Sequence, residues 1–562
     1  MLTFFDGGRF SFHAAVDPGP RQGGEVFEQG GNKLWLWGEF YGLKERACAR
    51  FFPALGKSEG GAVGGVEVSA AGIQKKAVAD AFFRALPEQC VEEVLRALDG
   101  VFAGVLWDAS ARCLHLFTDR LGLQPLYFWE EGGRCAWSVQ MRDFKHLDLS
   151  LREDALHCFL DLGHLVGEMS WFEGVRLLPA AVYERRVFPE GQTERRRYWH
   201  WPQPLAEAEA PSFEEAVDVC DRLLRAAVRR RLEGGGKSAI LLSGGLDSRL
   251  VLAAALREGF APDALTMGMK NGEDLRIARL VCERAGIAFE PRVLDAENWL
   301  EGRERCTVLS DGLINSLHLH QAPFVPEWVL PYERVLCGLA LEVMLGGCWV
   351  GSIDENIDKL ERQFGIYLRQ HYNLTEDFYR NRALSLLMDA HERHIPTISA
   401  NLMRQFVERP LVFADRDLLE YVLSLPDSYR RDYRLYFALL RKYYANLFAG
   451  IPWAKTGLPV FHPLTPWVLR SRWPGLRTVL YRARDALADY ERWVRMEPAR
   501  SMLENLLYPW HSCIKIWTMR DMLSELHAAP RFARTSRAEK WMRAATAEWW
   551  LRYVSLPHES HP

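Results

Sequence analysis

The sequence predicts an α/β protein in which a β-rich N-terminal region precedes a doubly wound α/β domain. Three observations support this fold class. Short apolar runs separated by turn residues fill the first two hundred residues. The continuous apolar run Ala239–Leu242 then leads through a glycine loop into a helical pattern. Beyond about residue 355 the pattern is mostly helical.

Composition restricts both the architecture and the environment. A chain of 562 residues is too long for one hydrophobic core, so two domains are expected. The net charge of -3 provides no general attraction to nucleic acid or to an anionic membrane. The 11 cysteines show neither a Cys-x-x-Cys pair nor zinc-ligand spacing. With no signal-peptide pattern and no long apolar run, we expect a cytoplasmic protein.

In the first domain, apolar runs bounded by Gly, Asp and Ser predict strands. They are Leu34–Trp37, Val101–Trp107, Leu114–Phe117 and Val182–Phe188. The Pro-, Ala- and Glu-rich stretch at 202–211 is typical of an interdomain linker. We therefore expect a first domain at 1–201 and a second domain at 212–562.

The second domain opens with a helix that Ser212 can cap. Its apolar positions recur at helical spacing: Phe213, Ala216, Val217, Cys220, Leu223 and Leu224. Glycines at 234–236 end this helix, and the apolar run at 239–242 follows as a buried strand. After the next glycine loop, Leu250–Leu256 resumes a helical pattern.

The loop between that strand and helix reads Ser243-Gly244-Gly245-Leu246-Asp247-Ser248. A helix N-terminus presents unpaired backbone N–H groups at the positive end of its dipole, which is an anion site. The glycines allow close approach of a phosphate, and the serine hydroxyls add donors. Asp247 disfavours a bare phosphate, so its expected role is to hold Mg²⁺ bridging phosphate oxygens. No Gly-Lys-Ser/Thr follows, so this is not a Walker loop.

The hexapeptide resembles the pyrophosphate loop of the N-type ATP pyrophosphatases, and its surroundings resemble asparagine synthetase. The resemblance covers nearly the whole chain. The N-terminal segments that resemble the family's glutaminase-type domain are Leu98–Ala103, Phe117–Tyr127, Phe172–Val175 and Arg197–Trp199. The resemblance implies a layered α+β glutaminase-like domain followed by an α/β adenine-nucleotide hydrolase-like synthetase domain.

Such enzymes use ATP and Mg²⁺ to adenylate a carboxylate, and an amine then displaces AMP to form an amide. The resemblance assigns Thr266, Met267 and Gly268 to adenine contact. It makes Lys455, facing the phosphates, and Asp311, near the acyl-substrate pocket, the expected catalytic residues. Asp274 lies where the family often carries an acidic residue, although a helix cap explains it equally well.

Two departures from the family pattern affect function. Glutamine hydrolysis in the family needs a cysteine directly after the initiator methionine, where this chain has Leu2, and its nearest cysteine is Cys48. Loss of that cysteine marks β-lactam synthetases and lasso-peptide cyclases. In the second acidic motif, Glu342 replaces the magnesium-holding aspartate, while Leu339 replaces the general base.

We therefore expect an AMP-forming amide ligase that does not hydrolyse glutamine, with Asp247 and Glu342 as the Mg²⁺ ligands. A peptide macrolactam or small-molecule cyclase fits this description, with partner proteins from a biosynthetic pathway. An ammonia-using asparagine synthetase, a non-catalytic nucleotide-binding relic and a different pyrophosphatase-type activity remain alternatives. The expected substrate is a small molecule or a peptide.

Overall fold

The computed structural model describes residues 2–6, 9–13, 24–43, 75–189, 191–347, 349–379, 383–394, 402–470, 487–507 and 536–555. The strands are β1 (Leu2–Asp6), β2 (Arg9–His13), β3 (Glu25–Gln29), β4 (Asn32–Leu43), β5 (Leu98–Asp108), β6 (Cys113–Thr118), β7 (Tyr127–Glu131), β8 (Arg134–Ser138), β9 (Val175–Leu177), β10 (Val182–Val187), β11 (Thr193–Arg197), β12 (Ser238–Leu241), β13 (Asp263–Gly268), β14 (Phe289–Val293) and β15 (Arg334–Leu336).

The α-helices are α1 (Lys75–Ala85), α2 (Val91–Ala97), α3 (Glu153–Leu162), α4 (Phe213–Leu232), α5 (Asp247–Arg257), α6 (Glu273–Ala285), α7 (Arg303–Leu309), α8 (Leu341–Leu345), α9 (Ile353–Phe364), α10 (Tyr367–His371), α11 (Ala383–Leu387), α12 (Arg416–Ser424), α13 (Asp427–Arg430), α14 (Arg434–Tyr443), α15 (Ala445–Phe448), α16 (Thr465–Arg470), α17 (Tyr490–Trp493), α18 (Ala499–Leu506) and α19 (Arg537–Ser555). Short 3₁₀ helices lie at Met141–Leu147, Ser316–His318, Val412–Ala414 and Arg431–Tyr433, and Met388–Glu392 is a π-helical turn.

Two antiparallel sheets form the N-terminal region. One has the strand order β2-β1-β8-β7-β9 and the other has the order β11-β10-β6-β5-β4-β3. Alternate apolar side chains of both sheets fill one core between them. Within it, Trp35 of β4 and Trp137 of β8 place their ring centroids 5.1 Å apart. The two faces therefore pack as a sandwich, and indole burial is a large part of its stabilisation.

Helices cover the outer face of the larger sheet, where Phe82 of α1 stacks on Phe117 of β6 at 4.8 Å. The N-terminal region is thus a layered α+β structure, as predicted. The sequence reading of this region as mostly β missed α1, α2 and α3. Their apolar residues, such as Val78, Ala79, Phe82 and Phe83 in α1, recur at the helical period of one buried face.

The second region is built on a parallel sheet with the order β14-β13-β12-β15. Neighbouring side chains of β12 enter opposite cores, with Ala239 on one face and Ile240 on the other. Burial on both faces explains why this strand is a continuous apolar run rather than an alternating one. Ser212 caps α4 by accepting the Glu215 N–H at 3.2 Å, as the sequence predicted.

Among the described residues, one large hydrophobic cluster runs through both regions, while three smaller clusters each lie within one region. Polar contacts also cross between the two regions, and several come from buried arginines. Arg416 donates its backbone N–H to Asp99 Oδ1 at 3.0 Å and its Nη1 to the Ala97 carbonyl at 2.9 Å. Arg393 donates Nε to the Gly122 carbonyl at 2.9 Å. These contacts join the β-rich region to the α12 and π-helical segments.

Across the residues that the structure describes, no helix is long and apolar enough to cross a membrane. Between Trp201 and Ser212 the chain forms neither strand nor helix. Leu205 in this stretch donates its N–H to the Ser424 carbonyl at 2.9 Å. The division into domains at 1–201 and 212–562 stays a prediction.

Candidate functional site

The candidate site is built around the loop that joins β12 to α5. Leu246 anchors the loop, because its side chain is buried in the main core. Ser248 Oγ accepts the Ser243 N–H at 3.1 Å, and Ser243 Oγ accepts the Gly245 N–H at 3.2 Å. The first N–H groups of α5 follow directly and lack partners within the helix. The serine hydroxyls thus hold a compact turn at the carboxyl edge of the parallel sheet.

The close approach of Ala454 explains why Gly244 must be small, and Asp274 holds its backbone. A Cβ on Gly244 would lie 2.8 Å from Ala454 Cβ, which is too close for two carbon atoms. The Gly244 N–H donates to Asp274 Oδ1 at 2.6 Å. Asp274 therefore orients the loop. It does not cap α6, whose N-cap residue is Gly272, so the helix-cap alternative is wrong. Burial raises the pKa of this carboxyl above its ordinary value.

Asp247 and Glu342 lie side by side, although 95 positions separate them. The Glu342 N–H donates to Asp247 Oδ2 at 2.7 Å, and the Tyr436 hydroxyl donates to Oδ1 at 2.6 Å. Burial, reinforced by the nearby Glu342 charge, raises the pKa of Asp247 to about 7. Ala340, at φ 58°, turns the chain into α8 so that Glu342 faces the loop.

The approach of these segments depends on Gly338. A Cβ there would lie 2.1 Å from the Ser248 nitrogen and 2.3 Å from the Asp247 carbonyl carbon. Only glycine permits this backbone contact. Leu339, the next residue, is half-buried and packs against the main core, and its side chain cannot accept a proton.

Lys455 completes the arrangement. Its Nζ donates to Glu342 Oε1 and, at 2.6 Å, to the Tyr433 hydroxyl, which itself bonds to Glu342 Oε1. Lys455 and Glu342 are both half-buried, so the Lys455 ammonium and the Glu342 carboxylate can reach a ligand. The predicted residues Asp247, Glu342 and Lys455 thus belong to one hydrogen-bonded network. Tyr433 and Tyr436, which share that network, were missed because no spacing in the sequence marks them.

The carboxylates suit a magnesium ion that also binds phosphate. Mg²⁺ prefers oxygen ligands and usually takes one or two carboxylates plus substrate phosphates. Asp247 and Glu342 offer that donor set beside the loop. No cluster of three or more His, Cys, Asp or Glu able to hold a metal occurs in the described ranges, so a cage made of protein ligands alone is absent there.

Thr266, Met267 and Gly268 end β13, which pairs with β12, so they lie at the same sheet edge as the loop. Thr266 is buried and Met267 is half-buried. The Gly268 carbonyl accepts the Leu294 N–H at 2.9 Å. Their contact with adenine stays a prediction.

Asp311 does not share this network. At φ 57° it is buried where the two regions meet, and it accepts the N–H groups of Met141 at 3.0 Å and Arg142 at 3.1 Å. Arg142 Nη1 also donates to it at 3.1 Å. A cavity of about 50 Å³ lies beside this ion pair and is lined also by Gln124 and His394. Its assignment to an acyl-substrate pocket stays a prediction.

The cysteines described in the N-terminal region are buried: Cys90, Cys113, Cys135 and Cys158. Burial raises the pKa of the Cys113 thiol to about 11 and that of Cys158 to about 12. These thiols therefore stay protonated and shielded near neutral pH. Leu2 is buried in β1, and Cys48 lies outside the described residues.

Two protein-family models match parts of this chain. Residues 78–199 match the glutamine amidotransferase domain, and residues 220–312 match asparagine synthase. The amidase chyE of Penicillium rubens is 32% identical over 180 residues, which are 32% of this chain and 25% of that protein.

Two further relatives come from an archaeon and a bacterium. A Methanocaldococcus jannaschii protein, whose name assigns it to the glutamine-hydrolysing asparagine synthetases, is 25% identical over 350 residues, 60% of this chain and 58% of that protein. Asparagine synthetase 3 of Bacillus subtilis, a glutamine-hydrolysing enzyme by its name, is 29% identical over 183 residues, 31% of this chain and 28% of that protein. The chain thus spans 25% to 58% of the length of these three relatives.

Proposed function

Since this chain belongs to the asparagine synthetase family, we propose that it is an ATP-dependent, AMP-forming amide ligase that works without hydrolysing glutamine. One observation carries the proposal. Asp247, Glu342 and Lys455 meet in a single hydrogen-bonded network beside a glycine loop at a helix N-terminus. Anion donors, two carboxylates and a cation at one point suit the binding of nucleotide phosphates and the stabilisation of charge that develops during their displacement.

In the first step, the loop N–H groups and the hydroxyls of Ser243 and Ser248 hold the pyrophosphate portion of ATP. An oxygen of the substrate carboxylate attacks the α-phosphorus, and the bond from that phosphorus to the pyrophosphate oxygen breaks. Lys455 stabilises the negative charge that grows on the departing pyrophosphate. Mg²⁺ held by Asp247 and Glu342 would neutralise phosphate charge when bound.

In the second step, an amine nitrogen attacks the acyl carbon of the adenylate, and the bond to AMP breaks. The amine must lose a proton, which Leu339 cannot take. Tyr433 can relay this proton, because its hydroxyl contacts both Lys455 and Glu342. The proton would pass to the Tyr433 oxygen as the hydroxyl proton moves to Glu342.

Independence from glutamine is supported by the thiols of the N-terminal region. Glutamine hydrolysis through a thioester needs an accessible thiolate. The described cysteines there are buried, and burial raises the pKa of Cys113 and Cys158. In the proposed reaction the amine comes from the substrate itself, as in closure of a small molecule or a peptide into a ring. Proteins of the same biosynthetic pathway would supply that substrate.

The first test uses the full chain with Mg²⁺, ATP and labelled pyrophosphate, and a panel of carboxylic acids and linear peptides. We expect acid-dependent exchange of label into ATP, and AMP rather than ADP as the product. Formation of ADP would refute the proposal. Exchange with aspartate followed by asparagine formation from ammonium would favour the ammonia-using alternative. Binding of α,β-methylene-ATP without exchange across the whole panel would favour a nucleotide-binding relic.

A second test separates the two steps. Tyr433→Phe removes the hydroxyl but keeps the ring, so pyrophosphate exchange should persist while amide formation falls. Loss of general acid–base catalysis typically costs about 10²- to 10⁴-fold. Equal loss of both activities would show that Tyr433 acts on the site geometry instead.

A further inference from the structure

One buried cation beside the loop has no role in the steps above. Arg249 is the third residue of α5, and it is fully buried. Its guanidinium lies 5.3 Å from the ring centroid of Phe448. Within the described ranges Arg249 forms no ion pair, and its Nε and Nη1 lack hydrogen-bond partners. Burial lowers its pKa to about 10.

The hydrogen bonds of Arg249 connect two segments that are far apart in sequence. Nη2 donates to the Pro452 carbonyl at 2.8 Å and to the Gly244 carbonyl at 3.3 Å. Gly244 belongs to the nucleotide loop, and Pro452 begins the turn that carries Lys455. The Gly244 carbonyl also accepts the Ala454 N–H at 3.0 Å. The Gly244 carbonyl thus accepts one hydrogen bond from Arg249 and another from the backbone of the turn that carries Lys455.

The turn itself is short and internally closed. The Trp453 N–H donates to the Leu458 carbonyl at 3.0 Å, and Pro452 and Pro459 form an isolated antiparallel bridge. The contacts of this turn with Gly244 therefore help to fix where the Lys455 ammonium lies. A buried arginine without a carboxylate partner is costly. An aliphatic side chain would fill the same volume without that cost, so packing alone does not explain the residue.

We propose that Arg249 is a positioning residue, a clamp that holds the turn carrying Lys455 against the loop at 243–248. The Gly244 carbonyl, which belongs to that loop, thereby also sets the position of the Lys455 ammonium. This inference rests on the proposed function of the site. Arg249 need not touch ATP. Its effect passes through Gly244 and Pro452 to Lys455.

The first experiment measures the clamp without catalysis. Amide hydrogen exchange is followed in the wild type, Arg249→Met and Arg257→Met. The last variant is the matched control, because Arg257 ends the same helix and pairs with Asp221 at 2.8 Å. We expect the Ala454 amide to exchange about 10- to 100-fold faster in Arg249→Met, the equivalent of one lost charge-assisted hydrogen bond, with β12 and α4 unchanged. Equal acceleration of β12 and α4 would mean that Arg249 only fills the core, and would overturn the proposal.

The second experiment is a double-mutant cycle with Lys455→Ala, read by binding of α,β-methylene-ATP and by pyrophosphate exchange. Arg249→Met should bind the analogue as the wild type does but exchange at least about 10-fold more slowly. Combined with Lys455→Ala it should cause no further loss, because its effect passes through that lysine. Arg249→Lys, which keeps the charge but cannot bridge two carbonyls in the same way, should rescue little. Additive losses would overturn the proposal.

Failure of the clamp and failure of the proposed function give different results. A wild type that never exchanges pyrophosphate contradicts the ligase, while the hydrogen-exchange comparison still decides the clamp.

Discussion

Replacing Gly338 with alanine would push the segment that carries Glu342 against the nucleotide loop. The added Cβ would lie 2.1 Å from the Ser248 nitrogen and 2.3 Å from the Asp247 carbonyl carbon, whereas ordinary van der Waals contact begins at 3.4 Å. Both obstructing atoms are backbone, so no side-chain rotation relieves the overlap. The loop and the start of α8 must therefore separate by about 1 Å or more.

That separation is large on the scale of catalysis. A misplacement of about 1 Å can cost about 10²-fold in rate, and overpacking typically costs about 1–3 kcal/mol of stability. It would also break the 2.7 Å hydrogen bond from the Glu342 N–H to Asp247. We therefore expect Gly338→Ala to fold with a lowered Tm and to lose about 10²-fold in pyrophosphate exchange.

The assay measures exchange rate, affinity for α,β-methylene-ATP over a Mg²⁺ titration, and Tm. Gly259→Ala is the control, because Gly259 has φ +84° with no atom within 4 Å of an added Cβ. It should lower Tm through backbone strain but leave nucleotide affinity unchanged. If Gly338→Ala bound the analogue and exchanged pyrophosphate like the wild type, the assignment of this junction as the nucleotide site would be wrong.

Three other perturbations give equally definite outcomes. Tyr436→Phe removes the 2.6 Å hydrogen bond to Asp247, and the Mg²⁺ concentration needed for half-maximal analogue binding should rise about 10-fold; an unchanged titration would contradict the role of Asp247. Asp311→Asn leaves Arg142 buried without its carboxylate and should cost about 3–5 kcal/mol, seen as a lowered Tm; an unchanged Tm would show that the pair is not stabilising. Burial lowers the pKa of His115 to about 4 from its ordinary 6.5, so the folded state binds fewer protons and stability is lost as pH falls from about 6.5 towards 4. Between pH 8 and pH 5 this loss should be about 2 kcal/mol in urea unfolding, and His115→Phe should remove it; a wild-type pH slope retained by that variant would contradict this assignment.

The sequence predicts the features whose cause is local. The loop from Ser243 to Ser248 lies between a buried strand and a helix, as its six residues predict. The parallel sheet and the helix capped by Ser212 can be predicted equally well, because the apolar period and the capping residues lie within short stretches of sequence.

The rest of the site depends on contacts across long stretches of chain. Glu342 meets Asp247 across 95 positions and Lys455 across 113, and the resemblance to a family, rather than any pattern, suggested both. Nothing in the sequence indicates that Arg249 bonds to Pro452. A buried arginine and an exposed one look the same in a sequence, and only the tertiary packing distinguishes them.

The contacts of Arg416 with Asp99 and Ala97 have a consequence for how such a chain can evolve. A lineage that no longer needed the first region's own chemistry could not simply delete its coding sequence. Removal would strip the shared core and deprive Arg416 and Arg393 of the acceptors that the first region supplies. Mutations that silence the first region without unfolding it would survive selection, whereas truncations would not. In such a lineage the β-rich half would be kept because the rest of the fold packs on it.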